Sequence, residues 1–204
     1  MTATRSLRKA PAKAGATGAA KGVNIALIAV FAALIAAFAL VPGFMIGPVP
    51  FSMTIVIVLL GPLVLGAWQG SLAALLYVAA GLFGLPVFAG GSSGVAVLLG
   101  PTGGYLVGYV LAALAAGPCA TLVLRRVTKG TAALVGLTFA AVAGLLVLHA
   151  AGVAGLMINA EMSFSGAFGT TIGFFGLDLL KAVFAGIAAL AIVRAFPRVR
   201  GRRS

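Results

Sequence analysis

Five long runs in this chain carry no Asp, Glu, Lys or Arg: 23–41, 51–66, 69–85, 103–124 and 131–152. A sixth, 174–196, carries only Asp178, Lys181 and Arg194. Runs of this length and polarity place backbone in hydrocarbon, where each N–H and C=O has to find its partner within the segment. The α-helix meets that demand. Charged residues make up 8% of the 204 and hydrophobic ones 62%, with a mean hydropathy of +1.22. A soluble domain keeps roughly a quarter of its residues charged to wet its surface. A water-soluble fold is therefore excluded, and an all-α membrane protein with six transmembrane helices is expected.

The formal net charge of +12 suggests nucleic acid until the charges are located. Arg5, Arg8, Lys9, Lys13 and Lys21 precede the first run; Arg125, Arg126 and Lys129 follow the fourth; Arg194, Arg198, Arg200, Arg202 and Arg203 close the sixth. A nucleic-acid surface gathers basic residues on one folded face, often interleaved with aromatics. Basic clusters at the ends of apolar spans report orientation instead, because positive charge is retained on the cytoplasmic side. With six spans both termini share a side, and both are basic. The segments 42–50, 86–102 and 153–173 then fall outside, and they contain no Lys or Arg and one acid, Glu161. Three regions follow: a disordered basic cytoplasmic tail over 1–22, a six-helix membrane domain over 23–196, and a basic cytoplasmic tail over 197–204. Ala37-Phe38-Ala39 looks like a signal-peptidase site, but the run before it has the length of a full span, and a retained helix is expected.

The outer segments concentrate Gly and Pro: Pro42-Gly43, Gly47-Pro48-Val49-Pro50, Gly90-Gly91-Ser92-Ser93-Gly94 and Gly100-Pro101-Thr102-Gly103-Gly104. Irregular backbone of this kind cannot face lipid, so it packs on itself or lines a watery pocket. Ordinary turns between helices account for any one such loop. Three on one face point to a pocket in which close backbone, Gly90 and Gly91 included, grips a small polar ligand.

Charge inside a membrane span is costly and marks function. Asp178 and Lys181 lie at i and i+3, on one helix face and near the outer end of the sixth span. Two readings stand side by side: a mutual salt bridge that lowers the cost of both charges, and a paired anchor in which Lys181 takes a ligand carboxylate while Asp178 accepts from N–H donors. Glu161 reads as a solvated loop residue. Lone His149, among apolar neighbours, offers no metal-ligand set, and Cys119, the single cysteine, reads as a small packing residue with no disulfide partner. None of the five lysines follows a glycine, so the phosphate-binding loop of ATPases is absent and the chain does not hydrolyse ATP. Gly91-Ser92-Ser93-Gly94 with His149 as base resembles an intramembrane serine protease, a match that arises easily in a chain with 29 glycines. No catalytic residue is assigned. On the first span Ala29 and Ala33 form one of several small-x-x-x-small pairs that permit close approach of another helix.

Four stretches in order resemble the BioY family, the biotin-specific S components of energy-coupling factor transporters: Val49-Pro50-Phe51, Gly84-Leu85-Pro86-Val87-Phe88-Ala89-Gly90-Gly91, Leu99-Gly100-Pro101-Thr102-Gly103-Gly104-Tyr105-Leu106 and Gly176-Leu177-Asp178-Leu179-Leu180-Lys181. The resemblance implies a multi-pass protein of the bacterial plasma membrane that captures biotin outside and delivers it inward, with no cofactor and no enzymatic activity of its own. Its implied partners are a transmembrane coupling subunit and two ATPase subunits. Asp178 and Lys181 become the implied biotin anchors, Phe51, Phe88 and Tyr105 the implied walls for the ring and chain, and the Ala29–Ala33 face the implied docking surface for the coupling subunit. This chain departs from the family pattern at Ser52-Met53-Thr54, where Thr-Leu-Gln is common, and at Ser92-Ser93, where a basic residue is common. Loss of that loop cation leaves Lys181 a larger share of carboxylate recognition. An S component for another small vitamin is the alternative reading.

Overall fold

The computed structural model describes residues 14–196 apart from 44, 47, 128 and 129. The chain runs through α1 (Ala14–Ala39), an antiparallel ladder of β1 (Met45–Ile46) and β2 (Val49–Pro50), α2 (Thr54–Leu65), α3 (Ala67–Leu82), a 3-10 turn (Ala89–Gly91), α4 (Val95–Leu98), α5 (Gly103–Arg126), α6 (Gly130–Asn159) and α7 (Phe164–Ala195). Among the described residues, Gly22–Ala39 of α1 and the whole of α5, α6 and α7 are long and apolar enough to cross a membrane.

α2 is the axis of the bundle. Its sequence is apolar all round, and a helix without a polar face has to be buried on every side. Eleven of its 12 residues are buried, and α1, α3, α5, α6 and α7 all pack on it. At 12 residues it is about 18 Å long, shorter than the ~30 Å hydrocarbon layer, and the chain turns straight into α3 through Gly66, whose φ of 91° suits only glycine. α5 meets α6 along a line of small residues, Gly104, Gly108, Ala112 and Ala116. At Gly104 and Gly155 the two backbones touch, since a Cβ on Gly155 would stand 2.4 Å from Gly104 Cα. Lipid tails give no hydrophobic drive for helix association, so such close van der Waals contact is what holds membrane helices together.

Several expectations change. Residues 14–22, assigned to the disordered tail, begin α1 as helix; the alanines at 14, 16, 19 and 20 have the highest helix propensity of any residue type. Residues 1–13 and 197–204 of the expected tails lie outside the described residues. Among the described residues the fold carries one two-residue ladder beside its helices, pairing Met45–Ile46 with Val49–Pro50. The segment 153–173 is mostly helix: α6 continues to Asn159 and α7 starts at Phe164, ten residues before the expected span. Ser163 caps α7, its Oγ accepting from the Gly166 N–H at 3.3 Å. Asp178 therefore sits at the middle of a 32-residue helix and not near its outer end. Cys119 is exposed on the outer side of α5 and packs no core.

Candidate functional site

The buried stripe of α7 includes Ala167, Thr171, Phe174, Asp178, Lys181, Ala182 and Ala185 at spacings of three and four, so both charges point into the bundle. Their exposures are 2% and 4%. Charges this deep persist only when paired and hydrogen-bonded. Lys181 Nζ donates to Asp178 Oδ1 at 2.7 Å and to the Ser52 carbonyl at 2.7 Å, and it stands 3.6 Å from the centre of the Phe51 ring. An ammonium has three N–H donors; two are spent on oxygens, and the ring face supplies a cation–π contact. The other carboxylate oxygen, Oδ2, lies 2.9 Å from His149 Nε2 on α6. Since Oδ2 accepts, Nε2 carries the hydrogen.

Ser52, His149, Asp178 and Lys181 line one cavity of about 140 Å³. Its walls come from Ser52 just before α2 and Thr54 at its start, from Tyr77 of α3, from Tyr105 and Tyr109 of α5, and from Phe88 of the loop after α3. Two glycines seat two of the rings. A Cβ on Gly81 would meet the Phe88 ring at 2.2 Å, and one on Gly152 would meet the Tyr105 ring at 2.4 Å. Phe88 packs edge-on to Tyr77, centroids 5.6 Å apart, and the Tyr105 hydroxyl hydrogen-bonds to Thr171 Oγ1 at 2.9 Å. An apolar body with a few convergent polar groups is the usual build of a small-molecule site.

Of the residues expected from sequence, Asp178, Lys181, Tyr105 and Phe88 meet at this cavity. Phe51 is not in the lining but lies against the Lys181 ammonium. Gly90 and Gly91 stand just beyond the lining: with φ of 69° and 74° they turn the loop whose Ala89 and Ser92 face the cavity. Ala29 and Ala33 are exposed on α1, and Ala33 directly follows the buried Phe31 and Ala32. Glu161 is exposed in the turn between α6 and α7, with a φ of 51°. His149 is the residue sequence reasoning set aside. The rule that singled out Asp178 and Lys181, that a titratable side chain within a span is functional, applies to it equally. The protease geometry does not form: Ser92 Oγ donates to the Ala89 carbonyl at 2.9 Å, and His149 Nε2 is engaged by Asp178. Among the described residues no cluster of three His, Cys, Asp or Glu side chains could hold a metal ion.

The BioY family profile matches residues 11–198. The biotin transporter BioY of Rhodobacter capsulatus is 36% identical over 184 residues, covering 85% of this chain and 95% of its own length. That of Rhizobium etli is 33% identical over 182 residues, covering 88% and 97%, and that of Thermotoga maritima 36% over 150 residues, covering 72% and 82%. A crystal structure of the S-component for biotin from an ECF-type ABC transporter shares the fold, with a TM-score of 0.78 over 86% of this chain and 93% of its own, at 23% identity. On this likeness, which runs across nearly the whole membrane bundle, the chain belongs to the BioY family.

Proposed function

We propose that this chain is the biotin-binding subunit of a membrane uptake transporter, and that the cavity around Asp178 and Lys181 is where biotin binds. It is a transport protein and not an enzyme, as its family membership and its biotin-transporter relatives indicate. The observation that carries the site assignment is the buried Lys181–Asp178–His149 cluster opening on an aromatic-walled cavity. Biotin presents ureido N–H donors at one end and a carboxylate at the other. Asp178 suits the first as an acceptor, Lys181 the second as a cation, and Tyr105 and Phe88 suit the apolar ring and chain between them. The cavity is smaller than the roughly 300 Å³ at which small-molecule pockets begin, so binding moves Lys181 off the Ser52 carbonyl and turns its ammonium to the ligand.

The six spans are α1, α2, α3, α5, α6 and α7, with both termini and the Arg125–Lys129 segment cytoplasmic, supported by the placement of every basic cluster. The membrane is a bacterial plasma membrane, crossed several times. Uptake is powered by a transmembrane coupling subunit with two ATPases. The coupling subunit docks on the outward face of α1 at Ala29 and Ala33, where small side chains let another helix approach closely.

Equilibrium binding of radiolabelled biotin to the purified, detergent-solubilised chain tests the reading, with Lys181→Ala alongside and riboflavin and thiamin as competitors. Tight binding that only biotin displaces, and that the variant loses, is expected. A folded, monodisperse protein that ignores biotin sinks the assignment, and displacement by another vitamin redirects it.

A further inference from the structure

Asp178 has to serve two masters in the proposed site. It accepts from the ligand's ureido end, and it also neutralises the lysine that the ligand's carboxylate is to engage. If Lys181 were its only partner, the carboxylate would be held at one oxygen and free to turn about its broad terminal torsion. It would also lose its sole counter-charge whenever Lys181 turned to the ligand, and a buried charge left unpaired is heavily penalised. The structure supplies a second partner on another helix. His149 Nε2 meets Oδ2 at 2.9 Å while Lys181 meets Oδ1 at 2.7 Å, so the carboxylate is clamped from two sides. The imidazole is itself held: the Phe175 ring packs against its edge with centroids 5.7 Å apart, and the residue is 7% exposed. It belongs to the same cavity lining as Asp178 and Lys181.

We propose that His149 is a positioning residue for ligand recognition: through Asp178 Oδ2 it fixes the carboxylate as an acceptor and keeps it paired while Lys181 engages the ligand's carboxylate. The role rests on the biotin reading and adds to it a residue that touches the ligand only through Asp178. It also fits the departure at Ser92-Ser93. With no loop cation to take the ligand's carboxylate, Lys181 has to leave part of its bond to Asp178, and a second donor on Asp178 makes that exchange possible.

The test measures biotin affinity in variants of the detergent-solubilised full chain. His149→Leu removes the donor and is expected to weaken binding about 10- to 100-fold, the range of a hydrogen bond to a charged group. His149→Gln, whose amide N–H can reach the Nε2 position, is expected to recover affinity to within about threefold of wild type by the same reckoning. His149→Asn is polar but too short to reach, and is expected to behave as Leu does; it stands in if His149→Leu does not fold. In an Asp178→Asn background, His149→Leu is expected to add less than about threefold, because the carboxylate through which it acts is gone. The primary amide of biotin separates the two subsites: the His149→Leu loss persists with it, while the Lys181→Ala loss shrinks. A loss that Gln does not rescue, or that survives undiminished in the Asp178→Asn background, overturns the positioning role, as does wild-type affinity in His149→Leu. Failure of the wild-type chain to bind biotin instead removes the reading beneath it.

Discussion

Gly152→Ala adds one methyl to α6, and the structure says where it lands. The new carbon would stand 2.4 Å from Cε1 and Cζ of Tyr105 and 2.8 Å from Cδ1. Unbonded carbons rest about 3.5–4.0 Å apart, so either the ring retreats by more than about 1 Å or α6 separates from α5. Separation is the harder course, because three residues further on Gly155 already lies against the Gly104 backbone. The ring therefore moves, and its hydroxyl, now 2.9 Å from Thr171 Oγ1, is drawn out of hydrogen-bond range. Overpacking costs about 1–3 kcal/mol and the lost hydrogen bond about 0.5–1.5 kcal/mol, so the variant is expected to be about 2–4 kcal/mol less stable. The displaced ring also enters a cavity of only about 140 Å³, and biotin affinity is expected to fall by at least tenfold, about 1.4 kcal/mol. Thermal unfolding in detergent and equilibrium binding read the two effects. In a Tyr105→Ala background the clash has no partner, and Gly152→Ala should then change stability by less than about 0.5 kcal/mol. Wild-type affinity and stability in the single variant would refute the packing argument.

Gly81→Ala should act in the same way through Phe88, whose ring lies 2.2 Å from the added carbon, and lowered biotin affinity with retained folding checks it. Lys181→Ala should weaken biotin binding by roughly 2–5 kcal/mol, since it strips the cation from both Asp178 and the ligand carboxylate; a loss under about tenfold means that the pair is structural. Asp178→Asn should cost less than Lys181→Ala in that assay, because the amide keeps one acceptor, and the reverse order contradicts the assigned roles. Ala33→Leu should leave biotin binding in detergent unchanged and cut energised uptake in cells that supply the coupling and ATPase subunits; uptake at the wild-type rate moves the docking face elsewhere.

Much of this architecture was legible in the sequence for a plain reason: hydrocarbon imposes one solution on an apolar run, and basic clusters between runs mark their ends. The pairing of Asp178 with Lys181 was equally visible, because an i,i+3 spacing on a helix fixes a contact from sequence alone. What stayed hidden depended on contact between helices. His149 and Asp178 are 29 residues apart on different elements, and nothing in local pattern aligns two helices in register. The length of α7 was hidden for another reason. Gly166, Gly169 and Gly173 fall in the segment 153–173 that reads as an outer loop, yet in a membrane helix glycine is an ordinary residue, tolerated because neighbouring helices pack against it. Gly90 and Gly91 show the opposite case, where positive φ makes glycine the turn itself. Composition cannot tell these uses apart.

His149, Asp178 and Lys181 meet in one place deep within the bundle, and the energetics of that meeting bear on why they are there. Burying an ion pair recovers by mutual attraction about what it costs in lost hydration, and well-packed apolar residues of similar volume often stabilise a core as much or more. A bundle whose helices already touch through Gly104, Gly155 and a line of alanines has no need of a polar cluster to hold α6 against α7. Stability alone does not account for these charges. Recognition does. A ligand polar at both ends has to trade its hydration for fixed donors and acceptors, and only groups already desolvated and held in place can return that loss. On this view Ser52, Phe51 and His149 keep Asp178 and Lys181 in register at their burial depth, so that the bundle bears the cost of ordering them before the ligand arrives.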